Sequence, residues 1–484
     1  MSFFYYKSRT TSRYNHTQRG LHVTPTGPES TEATPDKTSA DQQHAKAPPT
    51  LPTSQRKGGM TRRTAFLLLV LACMLIAHAL NAGAIQFIGP QGWAFTLDTS
   101  STNADTDLLK SVDQQLRKTP GNSSQYSRTR ITPQQYINTI VENMTLDMKL
   151  GQMFLVQFVG PDYSSDLHTM LTQYHVGAVL IFAANQNIVS KPQLKGLIEQ
   201  MQQNSQLPLA VALDQEGGYV NRLAKLNGPR PSAASIGASN DPQKARAAGI
   251  QDAQDLTYYG INLNLAPVID VDNNSNSELH QDQRTYGNTA TRVTQMAAAY
   301  LQGLQQSGKV LGTLKHFPGL GSVTVDPHVG VAQLTRPKDQ LEQIDWQPYR
   351  TLIQQGHVHA IMVTHEIVTA IDPTRPSTLS PKVVAGILRD ELHYQGVIMT
   401  DSLTMQGITD YTPEDQAAAL AVEAGSDLLM GASTPRDVAA MIAGMKEALH
   451  AGTLSEQRID ASVQRILMMK YEMGLLSLPD TAHR

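Results

Sequence analysis

Val310-Leu-Gly-Thr-Leu-Lys-His-Phe-Pro-Gly319 is a short apolar run that stops abruptly on titratable side chains. Its apolar part does not alternate with polar residues, which suits a parallel strand buried on both faces. Lys315 and His316 come directly at its end. Seven further runs share this design, at 153–159, 177–182, 209–213, 261–268, 360–367, 396–400 and 427–430. Amphipathic helical stretches lie between them, clearest over 191–203, 242–259, 291–306, 341–355, 381–392 and 435–449. Eight strand–helix alternations over roughly 350 residues predict an α/β fold, a single (β/α)8 barrel of the TIM type. A doubly wound open sheet is the alternative, because sequence alone does not show closure.

Outward from this barrel, expected over 131–478, the N-terminal third is of another kind. Residues 1–64 are rich in Ser, Thr, Pro, Gln and basic side chains, cannot bury a core, and predict a disordered tail. Residues 65–86 are almost wholly apolar and follow Arg56, Lys57, Arg62 and Arg63. A run of about 20 apolar residues is long enough to cross a bilayer. Its basic flank would keep the N-terminus in the cytoplasm and send the rest outward. The expectation is a transmembrane signal anchor in the cell membrane with an extracytoplasmic catalytic domain. A cleaved signal peptide is a second possibility. A third starts translation at Met60 and lipidates Cys73, although Leu71 fits that cleavage pattern poorly. Residues 87–130 are polar and turn-rich and predict a linker. Order is expected to begin at Thr132-Pro133, a cap followed by proline at the first helical position.

Bulk properties exclude some classes. A composition of 40% hydrophobic and 17% charged residues is globular. A net charge of -3 gives no electrostatic case for nucleic acid. The single cysteine, Cys73, excludes an intramolecular disulfide, and no cysteine cluster suggests structural zinc. No protein partner is legible.

In such barrels the active site lies at the C-terminal ends of the strands. The third run ends in Asp214-Gln-Glu-Gly-Gly218, with Arg222 beyond, and the fourth leads to Asp270 and Asp272. The fifth ends in Lys315-His316, the sixth in Thr364-His365-Glu366 and the seventh in Thr400-Asp401-Ser402. A solvated rim explains polar residues, but not titratable groups at five successive strand ends. Carboxylates among cations suit sugar hydroxyls, which need acceptors and donors. A retaining glycosidase also needs a carboxylate to attack the anomeric carbon and a second group to protonate the leaving oxygen. The blander expectations are a strand-end cap for Asp401, a rim ion pair of Asp214 with Arg222, a structural rather than sugar-binding place at the rim for Lys315 and His316, and a solvated loop histidine for His328. Glu216 is expected to shape its loop, and Asp270 and Asp272 to support the loop after the fourth strand. His365 is expected either to contact substrate or to pack beside Lys315. A metal site built from His316, His328 and His365 would be a different chemistry.

The motifs occur in a specific order: Asp214-Gln-Glu-Gly-Gly218 with Arg222, Asn264-Leu-Ala-Pro267, Arg284-Thr-Tyr-Gly287, Lys315-His-Phe-Pro-Gly319, Asp326-Pro-His328 and Thr400-Asp-Ser402. This set resembles glycoside hydrolase family 3, and most of all its bacterial β-N-acetylglucosaminidases of the NagZ type. The resemblance implies Asp401 as nucleophile, forming a covalent glycosyl-enzyme intermediate. It implies Asp214, Arg222, Arg284, Lys315 and His316 as holders of the terminal sugar. It implies His328 as general acid/base, oriented by Asp326; an unperturbed imidazole pKa near 6.5 suits that work. The implied activity is removal of terminal non-reducing β-linked N-acetylglucosamine from peptidoglycan fragments or chito-oligosaccharides, with no cofactor or metal. A β-glucosidase, or an anchored glycan-binding protein without catalysis, are the alternatives. The chain departs from the pattern at Leu320 and Ser322, where relatives often carry His and Asp, at Pro327, where Ser is commoner, and at Tyr219, where Arg is frequent. Pro327 fixes its own φ and is expected to stiffen its loop.

Overall fold

The structure, a computed structural model, describes residues 85–87, 93–95, 107–118, 131–326 and 330–479. Eight parallel strands form its centre: β1 (Phe154–Val156), β2 (Ala178–Ile181), β3 (Ala210–Leu213), β4 (Leu263–Asn264), β5 (Leu311–Phe317), β6 (Ala360–Val363), β7 (Val397–Ser402) and β8 (Leu428–Met430). Each pairs with its sequence neighbour, and β8 returns to β1 through Leu429–Phe154 and Met430–Leu155. The sheet is therefore a closed barrel, not an open doubly wound sheet. All eight expected runs supply a strand. Every residue of β1, β2, β3, β5, β6 and β8 is buried. The barrel interior covers one face and the helices cover the other, so both faces of each strand must be apolar.

The surrounding helices begin where their caps dictate. Thr132 accepts from the Gln135 amide and Gln135 accepts in return from Thr132, with Pro133 at the first position of Pro133–Glu142. Ser190 caps Lys191–Gln203, Asp241 caps Pro242–Tyr259 and Thr434 caps Pro435–Ala451. Two expected helices are partly wound more widely. Leu341–Asp345 and Lys382–Glu391 are π-helical, with bonds such as Trp346 N to Leu341 O at 2.7 Å. Trp346 then packs its ring 6.2 Å from Phe317 and donates Nε1 to the Pro318 carbonyl, which fixes the end of β5.

The expected tail lies outside the described residues, and so does the expected anchor apart from Ile85 and Gln86. Those two belong to a strand, Ile85–Phe87, paired antiparallel with Trp93–Phe95. Among the described residues no helix is long and apolar enough to cross a membrane. The stretch expected to be a linker holds a helix, Asp107–Lys118. Its Val112 is fully buried, and Gln115 accepts a hydrogen bond from Asn143 at 3.1 Å.

Lys470, on the helix Glu456–Glu472, is fully buried and donates to Gln152 Oε1 at 2.8 Å. Burial pulls its ammonium down to about 7. Between that value and the ordinary 10.5 the unfolded chain holds more protons than the folded one, so stability rises with pH through this window. Below pH 7 the penalty is complete and flat. Lys470→Met is therefore expected to stabilise the protein at pH 7 by about 1–3 kcal/mol, less than the full linkage value because Gln152 loses its partner. Urea unfolding at pH 7 and pH 10 checks this. The advantage of the variant should shrink at pH 10, and an equal gap at both pH values would refute the assignment.

Candidate active site

The C-terminal end of the barrel carries a continuous chain of charged groups. Asp214 follows β3, and Glu216 lies on a short hairpin, Gln215–Gly217 with Val220–Asn221. Gly217 turns this hairpin with φ +87°, and a Cβ there would meet the Pro231 carbonyl oxygen at 2.2 Å. Lys315, in β5, places Nζ 2.7 Å from both Asp214 Oδ1 and Glu216 Oε1. Arg284, from the loop after β4, grips Glu216 with two bonds of 2.9 Å. Arg284 Nη2 also lies 3.3 Å from His316 Nε2. On its other side His316 Nδ1 is 2.8 Å from Asp270 Oδ2. A carboxylate only accepts, so Nδ1 carries the proton and Nε2 accepts from Arg284. The Lys315–His316 peptide is cis.

The charges hold one another in place. Burial acts to raise the Glu216 carboxyl, but Arg284 and Lys315 outweigh it and hold it well below the usual carboxylate range. Burial acts to lower Arg284 and Lys315, yet their acidic partners keep both above their ordinary values. Glu216, Lys315 and Arg284 are thus held in their charged forms, with acceptors on Asp214 and Glu216 and donors on Lys315 and Arg284.

Three expectations change here. Asp214 pairs with Lys315, whereas Arg222 lies against the Phe182 ring, 4.9 Å from its centroid, with Nε buried and lacking a hydrogen-bond partner. Glu216 does not merely shape its loop; it is the carboxylate that Lys315 and Arg284 share. Asp270 serves the fifth strand rather than the fourth loop, accepting from His316 N at 3.0 Å and Leu320 N at 2.6 Å. Asp272 does stay within its own loop, paired to His280 at 2.8 Å. Gly319, with φ +131°, closes the β5 end over the buried Asp345, whose Cβ would stand 3.0 Å from a Cβ at that position.

Two strands further round, Asp401 is half-buried in β7 and accepts from the Ser402 amide at 2.7 Å. His365 follows β6. It is fully buried. Its Nε2 lies 2.9 Å from the Ser402 carbonyl and its Nδ1 2.8 Å from Thr378 Oγ1. Glu366 is also fully buried, and neither carboxyl oxygen makes a well-formed hydrogen bond. Burial pushes it well above the ordinary range, the charges of Asp270 and Asp401 add to this, and the nearby amides of Glu366 and Gly319 offset it only in part. Asp326 is half-buried; Pro327 and His328 lie outside the described residues. Among the described residues, no group of three or more His, Cys, Asp or Glu side chains is arranged to hold a metal ion.

Residues 145–469, well over half of the chain, match the family described as the glycosyl hydrolase family 3 N terminal domain. The chain belongs to glycosyl hydrolase family 3. Beta-hexosaminidase LpqI of Mycobacterium tuberculosis is 34% identical over 329 residues, covering 66% of this chain and 82% of that protein. Beta-hexosaminidase A of Pseudoalteromonas piscicida is 31% identical over 335 residues, and the match takes in 64% of this chain but only 55% of that longer protein. Among solved structures, a family 3 beta-N-acetylglucosaminidase from a Paenibacillus species superposes with a TM-score of 0.66 at 33% identity, covering 70% of this chain and 65% of that one.

Within this family 3 barrel, Glu216 and His365 are the positions that linear inspection undervalued. A signal for Glu216 was present. Residues two apart on extended chain share a face, so Asp214 and Glu216 point the same way. Glu216→Gln keeps the shape but removes the charge that two buried cations share. Uncompensated cations of this kind cost about 3–5 kcal/mol. The variant is expected to lose that stability in urea unfolding and to raise KM more than it lowers kcat for any glycoside the enzyme cleaves. Unchanged unfolding and unchanged KM together would show that the cluster is not held by Glu216.

Proposed function

We propose that the protein is a retaining exo-β-N-acetylglucosaminidase that removes terminal, non-reducing β-linked N-acetylglucosamine from peptidoglycan fragments or chitin-type oligosaccharides. The observation that carries this is the hydrogen-bonded cluster of Asp214, Glu216, Lys315, Arg284 and His316 at the mouth of the same barrel end that presents Asp401. Such a cluster offers fixed donors and acceptors to the hydroxyls of a single sugar ring. Arg222, whose buried Nε has no hydrogen-bond partner among the described residues, is assigned to the same ring.

In this reading Asp401 attacks the anomeric carbon as His328 gives its proton to the leaving oxygen. Water then attacks the glycosyl-enzyme, His328 takes the water proton, and Asp401 leaves as carboxylate. Two inversions return the original configuration. Asp326 orients His328 and favours its protonated form. Residues 65–86 act as a signal anchor, which places the enzyme at the outer face of the cell membrane, where wall fragments are available.

Chromogenic N-acetylglucosaminide and glucoside substrates test the specificity. Faster turnover of the N-acetylglucosaminide supports the proposal, and preference for the glucoside replaces it with a β-glucosidase. Sugar binding with neither cleavage would make the chain a glycan-binding protein. A 2-fluoro sugar should label Asp401 covalently, and labelling of another residue would overturn the mechanism.

A further inference from the structure

We propose that His365 is a positioning residue for Asp401, acting through the Ser402 peptide. This rests on the assignment of Asp401 as nucleophile. The backbone pairing of β6 with β7 runs from Ala360–Val397 to Val363–Thr400 and stops one residue short of Asp401. On the other side, the pairing of β7 with β8 shifts register between Met399 and Ser402. The strand ladder is therefore incomplete on both sides of the residue that must be placed most accurately.

His365 continues the β6–β7 connection past the end of the ladder. Its Nε2 is 2.9 Å from the Ser402 carbonyl oxygen, which can only accept, so Nε2 bears the hydrogen. Ser402 is then held at both ends: its carbonyl by His365, and its amide by Asp401 Oδ1 at 2.7 Å. The imidazole is itself fixed from behind. Thr378 Oγ1 lies 2.8 Å from Nδ1 and 2.7 Å from the Thr364 carbonyl. Thr378 belongs to a 3-10 turn, Ser377–Leu379, tied to the end of β6 by Ser377 N and Oγ on the Glu366 carbonyl. His365 is fully buried, so it acts on the nucleophile through this bond rather than on the sugar. In-line displacement needs the attacking oxygen about 3–3.5 Å from the anomeric carbon, and a displacement of about 1 Å costs on the order of 100-fold in rate.

The test compares three variants of the full chain on 4-nitrophenyl N-acetyl-β-glucosaminide, with circular dichroism and melting as folding controls. His365→Leu keeps the volume and removes the donor. It is expected to lower kcat about 100-fold while KM stays within about threefold. His365→Gln can place an amide donor near the Nε2 position and is expected to recover at least about tenfold of that loss. Thr378→Val leaves His365 in place without its Nδ1 partner and should lower kcat about fivefold at constant KM. A folded Leu variant with kcat within threefold of wild type overturns the proposal. So does a loss confined to KM, or a Gln variant no better than Leu. If the Leu variant does not fold, Thr378→Val decides, and an unchanged kcat overturns the proposal. Should the wild type cleave only another aryl glycoside, only the sugar specificity falls, and the same kcat comparison is made with that substrate. A wild type inactive on every glycoside overturns both.

Discussion

Asp401→Ala is expected to lower kcat by at least about 10⁴-fold while leaving the melting temperature close to wild type. No other group on β7 can replace it. The neighbouring Ser402 side chain is bonded to Thr404 Oγ1 at 2.8 Å. Glu366, a carboxyl within electrostatic reach of Asp401, is fully buried and held towards its neutral form. A neutral, enclosed acid is neither charged nor exposed enough to attack a sugar. In the proposed mechanism truncation also opens room at the anomeric carbon. Added azide should therefore attack directly, with a single inversion, and restore turnover at least about tenfold. Steady-state rates with and without azide, and the configuration of the product, check this. A residual kcat within about 100-fold of wild type, with product of retained configuration, would remove Asp401 from the nucleophile role.

Asp427→Ala should cost the fold about 3–5 kcal/mol. Asp427 stands at the start of β8, at the end of the barrel opposite the active site, and its side chain is fully buried. Arg389 reaches it at 2.6 Å, Arg465 at 3.0 Å and Arg458 at 3.3 Å. Ser462 Oγ and the Ile398 amide also donate to it. Burial already pulls Arg389 and Arg458 below their ordinary values, with Asp427 resisting that pull. Removal of the carboxylate would leave three close guanidinium groups without it, and both desolvation and mutual repulsion would oppose folding. Urea unfolding measures the loss, while kcat per folded molecule should stay near wild type because the site lies at the other end. A change below about 1 kcal/mol would mean that the arginines find other partners.

The barrel was legible because buried parallel strands leave an unusual signature: short apolar runs without alternation, each followed by a helix-length amphipathic stretch. Their limits were less legible. The fourth run, expected over 261–268, is regular strand only at Leu263–Asn264; Pro267 cannot donate to a ladder, and pairing resumes as a lone bridge of Val268 with Lys315. The sixth, expected to reach 367, ends as a strand at Val363, and the carbonyls of Thr364 and Glu366 accept from the Thr378 and Ser377 hydroxyls instead. π-Winding gave no warning, because the residues it buries over Lys382–Glu391, Val383, Val384, Ile387 and Leu388, are ones an α-helix would also bury. The helix Asp107–Lys118 was hidden by its polar composition, although Leu108, Leu109, Val112 and Leu116 share one side of it. Titratable residues at strand ends announced the site, because charge next to a buried run is conspicuous. Partners far apart in sequence did not. Arg284 with Glu216, and His365 with Ser402, meet only when neighbouring strands pair.

Closure of the barrel gives the chain a definite order of assembly. Each of β2 to β7 can pair with the strand made just before it, but β1 keeps an open edge until Leu428–Met430 arrives and meets Phe154 and Leu155. A nascent chain ending before Leu428 therefore presents two bare edges of apolar parallel sheet, the kind of surface that recruits other chains. Aggregation during synthesis should be most acute just before the eighth strand leaves the ribosome, and a deletion that removes β8 should yield insoluble protein rather than a smaller soluble barrel.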